Sequence, residues 1–307
     1  MNLKDLKDAY KGGLISKPYY IDQMHEAHRA LFEYAEFIKG TDAGLIQITD
    51  GAVDITTRAA GIRLYCDMDD KRIIPVEILN FDSYESAELS MVLSLIGDGS
   101  SILDIGGNVG WYSLNIAKAK KGVAVHTFEP IPKTFGYLVK NIAANGPVNV
   151  TPHNFGFSDE ERDIPFYYYK EGSGNASSAD LTGGEGVETV VCHVRRLDDF
   201  AAESGLAVDF IKCDVEGAEL HVFRGGMETI AKQRPVIFVE LLRKWAAKFG
   251  YHPNEVIGLL RGAGYRCFTA SGGRLSEFFV MDEGTKETNF FFLHSEKHGP
   301  LIDGLAG

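Results

Sequence analysis

Asp104-Ile105-Gly106-Gly107-Asn108-Val109-Gly110 is the stretch whose reading decides the fold. It follows an apolar run, Ser101 to Ile105, and leads into a helical pattern that starts at Trp111. Glycines there let the backbone turn sharply and come close to a ligand that a Cβ would repel. In parallel sheets, ligands bind at such strand ends, where the strand order reverses. A dinucleotide cradle would need glycines at the first, third and sixth positions, and Asn108 and Trp111 occupy the last two. Glu129 closes the next strand, within Val125-His126-Thr127-Phe128-Glu129-Pro130, 25 positions after Asp104. A carboxylate placed there can accept both hydroxyls of a ribose. Together these features favour S-adenosylmethionine (SAM) over a nicotinamide dinucleotide, with Asp104, Gly106, Asn108, Gly110 and Glu129 as cofactor-binding residues.

Outward from this stretch, helix and strand alternate. Expected strands run Val123 to Phe128, Val148 to Phe155, Val208 to Cys213, Val236 to Leu241, Tyr265 to Thr269 and Asn289 to His294. Helices are expected from Glu85 to Leu95, Trp111 to Lys120, Thr134 to Asn145, Ala218 to Ala231 and Pro253 to Ala263. Parallel strands need crossover connections, so repeated βα units imply an α/β sheet with helices on both faces. A polar, glycine-rich insertion with hairpin-like strands fills roughly 160–196. Residues 1–80 are expected to form an extension to a domain over 81–307. In it, Tyr20, Met24, Ala27, Leu31, Tyr34, Ala35 and Ile38 share one helical face, suited to the main domain or to a second subunit. Short strands follow, and the Asp67-Met68-Asp69-Asp70 cluster reads as a solvated turn.

The chain carries 31 basic and 43 acidic residues, a net charge of −12. That balance lacks the basic footprint of a nucleic-acid partner. Four scattered cysteines form no C-x-x-C pair. Neither a signal peptide nor a membrane-length apolar run is evident, so the expectation is a soluble, cytoplasmic protein.

The loop at 104–110, Phe128-Glu129-Pro130, Asn175 with Ser177-Ser178, and Ile211-Lys212-Cys213-Asp214-Val215-Glu216-Gly217-Ala218-Glu219-Leu220 resemble the FkbM-type SAM-dependent methyltransferases. The likeness runs from about Gly51 to His294 and includes the Tyr84-Glu85 pair, which adds Glu85 to the cofactor set. It implies a class I methyltransferase fold, a Rossmann-like and mostly parallel seven-stranded sheet with an antiparallel last strand. It also implies O-methylation of a sugar, glycan or secondary-metabolite hydroxyl, and a substrate-facing segment at 172–178.

Methyl transfer needs an aligned hydroxyl and a group to take its proton. Asp214, Glu216 and Glu240, at or just beyond the ends of two adjacent core strands, are the catalytic candidates. Capping of the following helix is the competing reading for the first two, and an ion pair with Lys212 or Arg243 for Glu240. Glu219 is read as solvated or paired with Arg224, or equally as part of the site. Asn154, Phe155 and Ser158, past the third strand, are candidates for the adenine. His153 and His193 are weaker candidates for a base. Asp214 and Glu240 could bind magnesium, but no third oxygen ligand is legible, so no metal set is assigned and a divalent metal stays the less favoured option. A small-molecule or carbohydrate acceptor is the expected partner, with a homodimer as an option. A non-catalytic SAM-binding protein and a nicotinamide-dependent oxidoreductase are the alternatives.

Overall fold

The computed structural model describes residues 2–169, 172–179 and 187–305. Two helices, α1 (Leu3–Lys11) and α2 (Lys17–Phe37), precede a small antiparallel sheet of β1 (Ala43–Thr49), β2 (Ala52–Thr57) and β3 (Arg63–Tyr65). Ser16 caps α2, its Oγ accepting the Tyr19 N–H, and Pro18 fits the first turn, where no N–H is needed. The face expected to pack inward is not buried at any position of α2, and Leu31, Phe32 and Phe37 are at least half exposed. Its contacts are local, such as the stack of Tyr10 on Tyr20 with ring centroids 4.5 Å apart.

The extension is nonetheless joined to the main sheet. Asn141 and Asn145 accept the backbone N–H groups of Tyr65 and Arg63, each at 2.9 Å. Ala43, Ile55, Ile62 and Leu64 belong to the same buried cluster as Ile102 and Val125. The acidic turn is less solvated than expected, since Asp67 pairs with Lys133 at 2.6 Å and its side chain is nearly buried.

After α3 (Ile74–Phe81) and α4 (Ser86–Leu95) come β4 (Ser101–Ile105), α5 (Trp111–Ala119), β5 (Ala124–Phe128), α6 (Pro132–Asn145) and β6 (Val150–His153). The insertion supplies β7 (Gly156–Phe157), β8 (Arg162–Tyr169), β9 (Gly172–Ser177) and β10 (Val187–Arg195), a separate sheet ordered β7-β10-β8-β9. Then follow α7 (Leu197–Ser204), β11 (Phe210–Cys213), α8 (Glu219–Arg224), α9 (Met227–Gln233), β12 (Val236–Glu240), α10 (Arg243–Ala246) and α11 (Asn254–Gly262). The chain closes with β13 (Tyr265–Ser271), β14 (Arg274–Glu277), β15 (Asn289–His294) and α12 (Gly299–Leu305).

The large sheet is ordered β14-β13-β15-β12-β11-β4-β5-β6. Strands β12, β11, β4, β5 and β6 are parallel, and β15 runs antiparallel between β12 and β13. The expected seven strands are present. An eighth, β14, is a hairpin return from β13 through Gly272-Gly273, both at positive φ. The continuous helix expected from Ala218 to Ala231 is split at Gly225-Gly226. A Cβ on Gly225 would lie 2.1 Å from the Ser158 carbonyl oxygen, so the chain passes that loop only as glycine.

The central strands explain the sheet's stability. Ile102, Leu103, Ile105, Ile211, Cys213, Ile237 and Val239 are all essentially inaccessible, as expected of parallel strands covered on both faces. Polar residues in this core therefore need partners or a purpose.

Candidate active site

The order reverses between β4 and β11, and the cleft opens there, beyond the carboxyl ends of β4, β5 and β11. Gly106 has φ +75°, and a Cβ on it would sit 1.8 Å from the Asp214 carbonyl oxygen. On Gly107 it would meet Thr127 Oγ1 at 1.9 Å. The glycines are thus dictated first by the contact of this loop with β5 and the loop after β11. Gly110, at φ +95°, starts α5 against Leu138.

Asp104 lies beneath the loop, not in the cleft. It is fully buried, accepts the Ser113 hydroxyl at 2.5 Å and faces Lys212 Nζ at 3.7 Å. Its expected contact with cofactor is replaced by support of the loop. Asn108, at φ +48°, donates its N–H to Glu129 Oε2 at 3.1 Å, while Ile131 N–H donates to Oε1 at 2.9 Å. Burial pushes the Glu129 carboxyl up to about 7, against the pull of those two donors. Each oxygen keeps a lone pair for a hydroxyl.

Glu85 lines the same cleft. It holds a left-handed backbone (φ +42°) at the start of α4 and accepts the Tyr112 hydroxyl at 2.7 Å. Burial raises its carboxyl, against the Tyr112 bond. Tyr84 is an addition that the linear sequence shows only as half of the Tyr84-Glu85 pair. It lines the cleft, and burial, then the charges of Glu85, Asp214 and Glu240, hold its phenol well above the usual range.

Asp214, Glu216 and Glu240 do converge, each offering an oxygen within 4.8 Å of the others. Burial first, then the charges of Asp214 and Glu216, pushes Glu240 up to about 10. Burial and Asp214 likewise hold Glu216 well above the carboxylate range. The competing reading of Glu240, an ion pair with Lys212 or Arg243, is not seen among the described residues. Lys212 is instead spent on Asp214 at 3.4 Å and on the Gly106 carbonyl oxygen at 2.7 Å. Burial opposes its charge, yet Asp214 and Asp104 outweigh that and raise its ammonium.

Glu219 is neither solvated nor paired with Arg224. It is buried and accepts the N–H groups of Val215 and Gly217 and the Tyr251 hydroxyl, at 3.2, 3.0 and 3.1 Å. It therefore shapes the Asp214–Gly217 turn. Ser177 joins it there, donating its hydroxyl to the Glu216 carbonyl oxygen at 2.8 Å from β9. The side chain of Asn175 is outside the described residues.

A second cavity adjoins the first, sharing Gly106, Pro130, Phe166 and Val215 as walls. Ser158 lines it, with His221 and Phe157. Asn154 and Phe155 line neither. The Asn154 amide is used on the carbonyl oxygens of Glu129 and Pro130, at 2.9 and 3.1 Å, and Phe155 packs in an aromatic cluster with Phe128, Phe157 and Phe200. His153 stacks on Phe128 in that cluster, and His193 bonds Asp163 on the surface, so neither lines the two cavities. Phe166 of β8, which carries no motif, is a wall residue only the fold reveals.

The residues fit SAM. Two joined cavities suit an elongated ligand, Glu129 presents free lone pairs, and Glu85, Asp214 and Glu216 also line the first cavity beside Lys212, with Glu240 next to them and Arg162 in the second cavity. Such a cleft suits a cation and repels a pyrophosphate.

Strand order, reversed last strand, glycine loop and acid on the second strand define a class I methyltransferase fold. The model of the methyltransferase FkbM domain matches residues 104–267, more than half of the chain, which belongs to the FkbM methyltransferase family. It is 30% identical over 146 residues to Methyltransferase 1 of Beauveria bassiana, 42% of this chain and 59% of that protein. It is 32% identical over 151 residues to the 2-O-methyltransferase NoeI of Sinorhizobium fredii, 43% of this chain and 60% of that protein. With the 31-O-demethyl-FK506 methyltransferase FkbM of Streptomyces tacrolimicus it shares 30% over 198 residues, 54% of this chain and 73% of that one. Matches to the first two thus span about three-fifths of their length. The crystal structure of a methyltransferase FkbM from Methylobacillus flagellatus is 17% identical, covers 64% of this chain and 44% of that one, and has a TM-score of 0.42. No helix among the described residues is long and apolar enough to cross a membrane.

Proposed function

We propose that the chain is a SAM-dependent O-methyltransferase acting on a hydroxyl of a sugar, glycan or secondary metabolite. The carrying observation is the convergence of Asp214, Glu216 and Glu240 beside a cleft that already presents Glu129 and Glu85. Two relatives named as O-methyltransferases, NoeI and FkbM, support transfer to oxygen.

SAM, when bound, supplies a methyl group on a positively charged sulfur and departs as the thioether. Glu129 would accept the ribose hydroxyls, and the cavity walled by Pro130, Phe166 and Val215, with Ser158, would take the adenine. The cleft carboxyl groups would favour the positive charge of a bound sulfonium and orient the acceptor hydroxyl for in-line attack. One of Asp214, Glu216 and Glu240 takes the hydroxyl proton as the oxygen–carbon bond forms. Burial and neighbouring charge favour the protonated form of Glu216 and Glu240, so Asp214, held by Lys212 at 3.4 Å, is the member left to accept the proton.

A tritiated-methyl transfer assay against sugars and hydroxylated metabolites tests this reading. Labelled product that is lost on Asp214→Asn supports it, whereas SAM binding with no transfer to any hydroxyl leaves a non-catalytic SAM-binding protein. We further propose a homodimer through the exposed apolar residues of α2, together with Leu45 and Ile48 of β1. Light scattering on the Phe32→Glu variant would show monomer where the parent shows dimer.

A further inference from the structure

The sequence shows two carboxylates on adjacent strand ends and no third, whereas the fold supplies Glu216. Oxygens of Asp214, Glu216 and Glu240 lie within 4.8 Å of one another. Two oxygens on opposite sides of one hard cation are separated by twice the metal–oxygen distance, about 4.2 Å for Mg²⁺ and about 4.8 Å for Ca²⁺. Oxygens no more than 4.8 Å apart are therefore close enough to share a single ion, with at most a small inward shift for one of the Mg²⁺ size.

A second observation concerns Glu216 itself. The residue is half-buried, and its Oε2 has neither solvent contact nor a hydrogen-bond donor. A buried carboxylate oxygen without a donor carries the full cost of desolvation. Lys212 does not relieve it, being engaged with Asp214 and the loop carbonyl. Among the described residues neither Glu216 nor Glu240 forms an ion pair. What is missing is a positive charge that takes oxygen ligands.

We propose that Asp214, Glu216 and Glu240 bind one hard divalent cation, of the Mg²⁺ or Mn²⁺ class, at the floor of the cleft. Three protein oxygens leave positions for water or for an acceptor hydroxyl. Its consequence for methyl transfer rests on the reading given above. A hydroxyl oxygen held by the cation loses its proton more readily, and Tyr84 and Glu85 border the place where it would sit. The binding itself does not depend on that reading.

Mn²⁺ titrated into the full chain, with free ion followed by electron paramagnetic resonance, tests the site. One saturable site per chain is expected, displaced by excess Mg²⁺. Glu216→Gln and Glu240→Gln should each weaken it by about tenfold or more, since affinity follows the ligand charge count. Circular dichroism confirms that the variants are folded, and the wild-type titration stands whether or not they are. SAM binding is measured on the same wild-type samples as a separate readout of the cofactor site. No saturable Mn²⁺ site in the wild type, or unchanged affinity in both folded variants, overturns the proposal. Absence of SAM binding to the wild type would instead overturn the cofactor reading, with the Mn²⁺ titration still deciding the cation.

Discussion

Lys212 Nζ donates to the Gly106 carbonyl oxygen at 2.7 Å, pinning the glycine loop after β4 to the strand beside it. The same ammonium lies 3.4 Å from Asp214 and 3.7 Å from Asp104, and it is buried. One cation thus balances a support beneath the loop and a carboxylate in the cleft. Removing one member of a buried ion pair leaves the others desolvated and unpaired. Lys212→Met is expected to destabilise the protein by about 3–5 kcal/mol. Urea unfolding checks this, and an unchanged midpoint would contradict it.

Two glycines should respond in opposite directions. Gly106→Ala must place a methyl against the Asp214 carbonyl at positive φ, for an expected cost of about 2–4 kcal/mol. Gly258 sits exposed inside α11 with nothing near its absent Cβ, so Gly258→Ala should gain about 0.5–1 kcal/mol. Thermal melts of the pair test whether the loop contact, and not glycine as such, sets the requirement.

Glu240 links stability to pH. Its native value of about 10 lies above the ordinary 4.5, so the native state holds this proton more tightly than the unfolded chain. The stability it contributes is full below about pH 4.5 and is lost as pH rises toward about 10. Glu240→Gln cannot ionise and escapes that loss. Relative to wild type it should gain stability from pH 5 to 9, by at most about 1.4 kcal/mol per pH unit. Denaturant melts of the metal-free protein, in chelator, at several pH values measure the difference, and a flat difference would show that Glu240 is not held protonated.

Glu129→Gln replaces one ribose-facing oxygen by a donor and removes the charge. Charge-assisted hydrogen bonds are worth about 1.5–3 kcal/mol, so SAM affinity should fall by about tenfold to a hundredfold. Calorimetry measures it, and an unaltered Kd would remove Glu129 from the cofactor site.

Much of the sheet was legible because its strands are buried on both faces and read as continuous apolar runs. Asp104, Glu129, Asp214 and Glu240 were likewise visible as acids closing such runs. Which of them face the cleft was not. Asp104 and Glu219 are ordinary strand-end or helix-start acids in the sequence, and only the packing of Ser113, Lys212 and Tyr251 turns them inward. Asn154 and Phe155 follow the third strand as an adenine pair would, yet the bend before β7 gives one to the Glu129 carbonyl and the other to the aromatic core. Phe166 and Tyr84 carry no periodic or spacing signal, since a wall residue is defined by the opposite wall. The eighth strand escaped notice because Arg274–Glu277 is short, and only Leu275 of its four residues is buried.

The central claim is that an acidic cleft with a non-dinucleotide glycine loop holds SAM. Parallel calorimetric titrations of SAM and NADH into the full chain test it most directly. The expected result is one SAM per chain with no heat from NADH. Saturable NADH binding without any SAM binding would contradict it.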